Sequence, residues 1–162
     1  MKEITAQELI DRFDLKPHPE GGYFRETYRS DLIVKNRNCS TAIYFLIPKD
    51  ARSCLHRIAS DEIWHFYLGD PLKLIEISPA GDVKKTTLGQ DIASGHLLQH
   101  VVPAGHWFGA YPADGGRYSF VGCTVAPGFD FQDFELGDRK GLLKRFPDAR
   151  SIIELLTPEL SD

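Results

Sequence analysis

Long hydrophobic runs and an excess of positive charge are both absent from the sequence. No run approaches the roughly 20 apolar residues that a membrane-spanning helix needs, which excludes a helical membrane protein. The 19 Lys and Arg residues are outnumbered by 23 Asp and Glu residues, and the formal net charge is -4. Nucleic-acid-binding domains usually carry a basic excess, because neutralising phosphates supplies much of their affinity. We therefore expect neither a nucleic acid nor a membrane as a partner.

Cysteine is also scarce: Cys39, Cys54 and Cys123 are the three present, and none forms a Cys-x-x-Cys pair. An odd number of widely spaced cysteines argues against a disulfide framework and a zinc site, and favours reduced thiols in a cytoplasm. Residues 1–13 are amphipathic and acidic, without the basic start and apolar core of a secretory leader. We expect a cytoplasmic protein in which Cys123 is an inert thiol of an apolar strand.

Turn-forming residues, in contrast, are abundant, with 14 Gly and 10 Pro, and aromatic residues make up 11%. Turn formers spread between short apolar runs favour many short strands over long helices. A length of 162 residues fits one domain, residues 1–162, and would fit two only with strain.

The pattern of apolar residues predicts a short helix, a series of strands and a helical tail. Thr5 and Glu8 form a capping box for a helix over 5–13. Alternation and turn signals predict strands over 23–28, 41–47, 53–58, 62–68, 72–77, 83–88, 97–102, 106–111, 118–125 and 129–136. In the last strand, alternating acidic and phenylalanine residues predict one wet face. Helices follow over 139–146 and 149–156, the second with Asp148 as its N-cap. This order predicts an all-β sandwich or barrel with a short N-terminal helix and one or two C-terminal helices.

One segment resembles a known motif of such barrels. The first cupin motif has the order His-x-His, then Glu, then Gly, and residues 56–69 match it with His56, Glu62 and Gly69. Ile58 stands in place of the second histidine. The second cupin motif, Pro-x-Gly-x-x-His, is similar to PAGHWF at residues 103–108, where Phe108 takes the histidine position.

Longer stretches are similar to cupin family 5, a small and largely uncharacterised family that is a domain of unknown function. They are PHPEGGYFRET at 17–27, SDEIWH at 60–65, VPAG at 102–105 and VGCTVAPGF at 121–129. The resemblance implies a cupin jelly-roll barrel (a double-stranded β-helix), often dimeric, with a pocket inside one mouth. It implies no reaction, because the family has none assigned, and the likeness to sugar-nucleotide epimerases of the superfamily is distant.

The resemblance also bears on a metal. Metal-binding cupins use both histidines and the glutamate of the first motif and the histidine of the second. This sequence keeps His56 and Glu62 but has Ile58 and Phe108 at the other two positions. Two ligands beside an isoleucine and a phenylalanine make a poor transition-metal site. We expect no metal and no other cofactor, with a divalent metal at His56 and Glu62 as the disfavoured alternative.

Strand alternation from His56 places a set of side chains inside the predicted barrel. If His56 and Ile58 point inward, then Glu62, Trp64 and Phe66 should do so too. A carboxyl group in an aromatic pocket should have a raised pKa and could act as a general acid or base. We therefore predict His56 and Glu62 as catalytic residues and Ile58, Trp64, Phe66 and Phe108 as ligand-binding residues. Structural roles for the first two remain open, Glu62 as a buried ion pair with Arg25 or Arg52 and His56 as a satisfied core group.

Tyrosine and arginine side chains complete the predicted site. In the epimerases mentioned above, a tyrosine opposes the basic histidine, a role that Tyr118 or Tyr44 could take here. We predict Tyr118 as the third catalytic residue and Tyr44 as a ligand-binding residue. Arg25, in the most specific family stretch, is predicted to bind ligand or to serve a dimer. An exposed loop position is the simpler interpretation of Arg52.

Three functions are compatible with such a pocket. The first is a metal-independent isomerase or epimerase that acts on a sugar-like or other small polar metabolite, with His56 and Glu62 as its acid–base pair. The second is a non-catalytic module that binds a metabolite. A metal-dependent enzyme is the third and is disfavoured. In each case we expect a small-molecule partner and a homodimer.

Overall fold

The computed structural model describes residues 3–158. It begins with the predicted helix, α1, which spans Ala6–Phe13. The Thr5 hydroxyl accepts a hydrogen bond from the Glu8 backbone N–H, and the Glu8 carboxylate accepts one from the Thr5 backbone N–H, so the capping box is present. No helix in this part of the chain is long and apolar enough to cross a membrane.

Thirteen short strands make up most of the rest of the described chain. They are β1 (Lys16–Pro17), β2 (Tyr23–Arg29), β3 (Ile33–Val34), β4 (Arg37–Asn38), β5 (Thr41–Pro48), β6 (Ser53–Arg57), β7 (Asp61–Gly69), β8 (Leu72–Ile77), β9 (Val83–Leu88), β10 (Gln99–Val102), β11 (Trp107–Pro112), β12 (Tyr118–Ala126) and β13 (Glu135–Leu136). Helices α2 (Arg139–Arg145) and α3 (Arg150–Leu156) close the chain.

Eleven of the strands form two antiparallel sheets that enclose one apolar interior, and β3 and β4 pair as a separate two-stranded sheet. The larger sheet has the order β1-β2-β5-β12-β7-β10, and the smaller has the order β13-β6-β11-β8-β9. Phe45 and Trp64 from the first sheet meet Leu74 and Phe108 from the second in a single buried cluster. The expected jelly-roll barrel is therefore confirmed.

Helices cover the outside of both sheets. Helix α1 packs through Leu9 on the larger sheet, against Leu46 and Phe120. Helices α2 and α3 pack on the smaller sheet, where Leu142 and Ile153 join a buried cluster with strand residues. The expected N-terminal and C-terminal helices are confirmed, and all three helices pack on the outside of the barrel.

The predicted strand over 129–136 is wrong. A short 3-10 turn occupies Phe131–Asp133, and only Glu135–Leu136 pairs with β6. The Asp130 side chain accepts a hydrogen bond from the Gln132 backbone N–H at 2.8 Å, so a local contact replaces strand pairing. The expected wet face is absent as well, because the segment does not alternate as a strand and Phe131, which lines the cavity, is still 52% exposed.

The start of the last helix also differs from the prediction. Asp148 lies inside a 3-10 turn, Pro147–Ala149, and α3 begins after it without a side-chain cap. Proline is well tolerated at the first position of this turn, because a backbone N–H at that position would have no hydrogen-bond partner within the turn.

Ile153 tests how much the outer helices stabilise the barrel. Its side chain is fully buried in the cluster beneath α3. We expect Ile153→Ala to lower the free energy of unfolding by about 2–5 kcal/mol in urea titrations, through lost burial and a residual cavity. Ser151→Ala, at an exposed position of the same helix, should change it by no more than about 0.5 kcal/mol. Equal effects of the two substitutions would contradict the packing described for α3.

Candidate functional site

A cavity of about 290 Å³ lies inside the barrel, between β2, β5, β7 and β12 of the larger sheet and β6 of the smaller. The loop at residues 18–20 and the segment at 129–131 complete its wall. Its volume is near the lower end of the range for small-molecule sites, about 300–1,000 Å³. A ligand that fits here is therefore small.

Glu20 and His56 form the central polar contact of the cavity. Glu20 Oε2 lies 3.0 Å from His56 Nε2, and the Ser53 hydroxyl donates to Glu20 Oε1 at 2.6 Å. The Cys54 backbone N–H donates to the Glu20 carbonyl at 2.8 Å. Both the side chain and the backbone of Glu20 thus attach the loop to β6.

Gly21 makes this close approach of the loop possible. Its φ of 108° lies in the left-handed region, and a Cβ atom there would come within 2.0 Å of the Arg52 carbonyl oxygen. Only glycine meets both conditions without strain. The Glu-Gly pair at 20–21 therefore places one carboxyl group inside the barrel.

The contacts of His56 determine where its proton lies. Nδ1 is 2.8 Å from the Cys54 carbonyl, which can only accept, so Nδ1 carries a hydrogen. Burial lowers the pKa of His56 to about 3, so the ring is neutral near pH 7 and Nε2 is an acceptor. Burial, together with the charge of Glu62, raises the pKa of Glu20 well above its usual value. We interpret the contact as a neutral Glu20 carboxyl group that donates its proton to His56.

His18 stands on the other side of the same carboxyl group. Its Nδ1 accepts the Glu20 backbone N–H at 3.2 Å and lies 3.5 Å from Oε2. Burial lowers the pKa of His18 to about 4, so this ring is neutral too. Nδ1 of His18 is therefore satisfied by the Glu20 backbone N–H and not by the carboxyl proton, which His56 accepts.

Glu62 is the second carboxyl group of the cavity, and its side chain has no cationic partner among residues 3–158. Only 7% of the residue is exposed, and burial raises its pKa to about 7, partly offset by a hydrogen bond from the Cys123 thiol. Burial raises the pKa of that thiol well above its usual value, so Cys123 stays protonated and donates. Glu62 is thus poised to gain or lose a proton near neutral pH.

Phenylalanine rings supply much of the apolar wall. Phe24, Phe45, Phe129 and Phe131 all line the cavity, and the Phe24 ring packs against His18 with centroids 4.5 Å apart. The Phe129 and Phe131 rings are 4.9 Å apart in an edge-to-face arrangement. The cavity therefore combines aromatic surface with buried carboxyl groups.

Two arginines hold the segment that carries Phe129 and Phe131. Arg37 bonds to Asp133 and donates to the Gly128 carbonyl, and Arg29 donates to the Phe129 carbonyl at 3.0 Å. Arg29 also contacts both carboxylate oxygens of Glu26, at 2.8 and 2.7 Å. Arg29 and Glu26 line the cavity, whereas the half-buried Arg37 holds the segment without lining the cavity.

The structure brings together two of the three predicted catalytic residues, since His56 and Glu62 both line the cavity. The alternative ion pair of Glu62 with Arg25 or Arg52 is not formed. Arg25 donates to the Phe13 carbonyl, and Arg52 donates to the Leu155 carbonyl.

Tyr118, Tyr44 and Arg25 lie away from the cavity, which corrects their predicted placement. The Tyr118 hydroxyl donates to the Ile4 carbonyl at 2.9 Å, and the Tyr44 ring packs on Phe13 of α1 with centroids 5.0 Å apart. Arg25 pairs in register with Tyr44 across β2 and β5. All three therefore lie on the outside of the larger sheet, on the side of α1. For Arg25 and Tyr44 this follows from the strand pattern, because their neighbours Phe24 and Phe45 line the cavity and adjacent residues of a strand point to opposite faces.

The four remaining predicted residues, Ile58, Trp64, Phe66 and Phe108, are buried in the interior cluster but do not line the cavity. Phe108 packs on His56 with ring centroids 4.1 Å apart, and Trp64 packs on Phe45 at 5.8 Å. Phe108 and Trp64 thus support the residues that form the wall.

His18 and Glu20 are polar residues of the cavity that the alternation along the strands did not predict. They lie in a loop, outside any alternating pattern, so periodicity could not place them inside the barrel. The signal that could have pointed to them is the stretch PHPEGGYFRET at 17–27, which combines a histidine, a glutamate and two turn glycines.

The residues present do not fit the metal site of metal-binding cupins. Ile58 and Phe108 offer only carbon at two of the four positions, and both nitrogens of His56 already have protein partners. Within residues 3–158, no group of three or more His, Cys, Asp or Glu side chains is placed to hold a metal ion.

Comparison with known proteins gives consistent matches along the chain. Residues 7–137 match the family described as Cupin superfamily (DUF985). The chain is 30% identical to the uncharacterised protein YML079W of Saccharomyces cerevisiae over 169 residues, 93% of this chain and 84% of that protein.

Two solved structures are similar over nearly their whole length. Protein SO0799 from Shewanella oneidensis is 36% identical with a TM-score of 0.93, and the match covers 98% of this chain and 100% of that one. A hypothetical protein from Leishmania major is 38% identical with a TM-score of 0.91, covering 96% and 100%.

Glu62→Gln tests the raised pKa of Glu62. The folded protein holds this proton more tightly than the unfolded chain does, so the resulting stabilisation is full below about pH 4.5 and is lost as the pH rises through about 7. The wild type should therefore lose roughly 2–3 kcal/mol of unfolding free energy relative to Glu62→Gln between about pH 5 and 8.5. Urea titrations across this range measure the difference, in which the contributions of His18 and His56 cancel. Parallel curves for the two proteins would refute the shift.

Elemental analysis tests the metal expectation. Because the cavity offers too few free ligand atoms, protein purified without a chelator should contain well below one metal ion per chain. Incubation with zinc or manganese followed by gel filtration should not raise that content. Stoichiometric metal in either sample would mean that the side chains rearrange to bind it.

Proposed function

The chain belongs to the DUF985 family of the cupin superfamily, and on that premise we propose that its barrel binds a small ligand and exchanges protons with it. The observation that carries the proposal is the coexistence, in one cavity, of Glu62 with a pKa of about 7 and the neutral Glu20–His56 pair. Perturbed titratable groups that converge on a cavity are typical of sites for acid–base chemistry.

Each group has a distinct part in such chemistry. Glu62 is partly ionised near neutral pH, so it can remove a proton from a ligand or return one. Glu20 can pass to a ligand the proton that it otherwise donates to His56 Nε2, and His56 itself is held through Nδ1 by the Cys54 carbonyl. Removal of a proton by one carboxyl group and its return by the other is the pattern of an isomerase or epimerase.

The charge of the lining restricts the ligand. Arg29 is the single Lys or Arg among the described residues that line the cavity, and Glu26 already neutralises it. An anionic ligand such as a nucleotide-sugar would meet buried carboxyl groups without a free cation to oppose it. We therefore favour a sugar-like or other small metabolite that carries no net negative charge.

A non-catalytic binding module is the second candidate. The observation in its favour is that both carboxyl oxygens of Glu20 have protein partners, Ser53 and His56, as in a structural network. The small-ligand partner, the homodimer and the cytoplasmic location stay predictions in either case.

Deuterium exchange distinguishes the two candidates. We would incubate the protein in D₂O with a set of neutral sugars, amino sugars and nucleotide-sugars, and follow deuterium incorporation by mass spectrometry. Proton transfer at carbon predicts incorporation into neutral sugars or amino sugars but not into nucleotide-sugars. Glu62→Gln should slow it by about 100-fold or more, the usual contribution of a general acid or base.

The matched control is Glu135→Gln, whose carboxylate pairs with Arg57 on the surface. This variant should exchange at the wild-type rate. Binding of a set member without exchange would favour the non-catalytic module, and exchange that survives Glu62→Gln would rule out Glu62 as the acid–base group.

A further inference from the structure

We propose that the ligand of this cavity is a small organic monocation, bound with its positive charge beside Glu62 and its carbon groups against the phenylalanine rings. This inference rests on the proposed function, in that it takes the cavity as the binding site and names the class of molecule that it accepts.

The balance of charge in the cavity is the first argument. Among residues 3–158, four carboxyl groups line it, those of Glu20, Glu26, Glu62 and Asp130, against the single guanidinium of Arg29. Arg29 contacts both oxygens of Glu26, so it is not available to the two buried groups.

The other side chains around Glu62 do not supply the missing positive charge. Both His18 and His56 are neutral, since burial lowers the pKa of each ring. The Cys123 thiol donates a hydrogen bond to Glu62 but carries no charge. A buried carboxylate without a cationic partner is costly, and a cationic ligand would provide that partner.

The aromatic wall is the second argument, independent of the first. Phe24, Phe45, Phe129 and Phe131 line the same cavity as Glu62. The faces of aromatic rings carry negative potential, and rings grouped around a cavity bind ammonium groups, methylated ones included. A neutral apolar ligand would use the rings but leave the carboxyl group unpaired, whereas an organic cation uses both.

The alternative cation, a metal ion, suits the cavity less well. Phenylalanine cannot ligate a metal, and among the described residues no group of three or more His, Cys, Asp or Glu side chains is placed to hold a metal ion. The volume of about 290 Å³ also exceeds what a bare ion needs and suits a small organic molecule.

Pairs of ligands that share shape but differ in charge provide the test. Choline and 3,3-dimethylbutan-1-ol have the same shape, with a quaternary nitrogen in one and a carbon atom in the other. Benzylammonium and benzyl alcohol form a second pair. Isothermal titration calorimetry above neutral pH, where Glu62 is mostly ionised, should give at least one cation an affinity about tenfold or more above that of its neutral counterpart.

Two variants assign the preference to named residues. Glu62→Gln should remove most of the preference for the cation and leave the affinity of the neutral counterpart within about twofold. Phe131→Leu keeps an apolar side chain at the mouth but removes the ring face, so it should weaken the cation more than the neutral molecule. Circular dichroism and thermal melts would confirm that both variants fold, and Glu135→Gln again serves as the control.

The possible outcomes separate this inference from the proposed function. Equal affinities within both pairs, tighter binding of the neutral members, or no binding of either cation at millimolar concentration would overturn the cation inference. Proton exchange with a neutral sugar would still support the proposed function in each of these cases. Tight binding of a nucleotide-sugar in the cavity would overturn both.

Discussion

The contact between Glu20 and His56 joins the two sheets at the mouth of the barrel, and the cavity depends on it. Glu20 precedes β2 of the larger sheet, and His56 lies on β6 of the smaller sheet. Ser53 holds the second carboxyl oxygen, and the Cys54 N–H holds the backbone. If the loop lost this attachment, one wall of the cavity and one of its two buried carboxyl groups would move together.

The same contact explains why the histidine of the first cupin motif can persist beside positions that have lost their metal ligands. Each nitrogen of His56 has a protein partner, the Cys54 carbonyl on one side and Glu20 on the other. Phe108 stands at the histidine position of the second motif in the sequence and packs on the His56 ring. A carboxylic acid thus takes the place beside the imidazole that a metal has in other cupins.

Alternation along the strands was a reliable guide to the barrel interior and a poor guide to its rim. It placed His56, Glu62 and Trp64 inside correctly, because each lies in a regular strand. Applied to β5, the same rule would have put Tyr44 outside, since its neighbours Ile43 and Phe45 line the cavity. The prediction that Tyr44 binds ligand followed the analogy with the epimerases instead of the alternation along the strand.

By itself, the sequence determined most of the strands along the chain, the capped N-terminal helix, the family and the absence of two metal ligands, because these follow from local patterns and motif positions. Only the tertiary structure decided that His18, Glu20 and Phe131 line one cavity with Glu62. They come from irregular segments whose conformations depend on distant partners, such as Arg37 for the turn after Asp130. The protonation of Glu62 is likewise a tertiary property, since burial raises its pKa and only the closed barrel buries it.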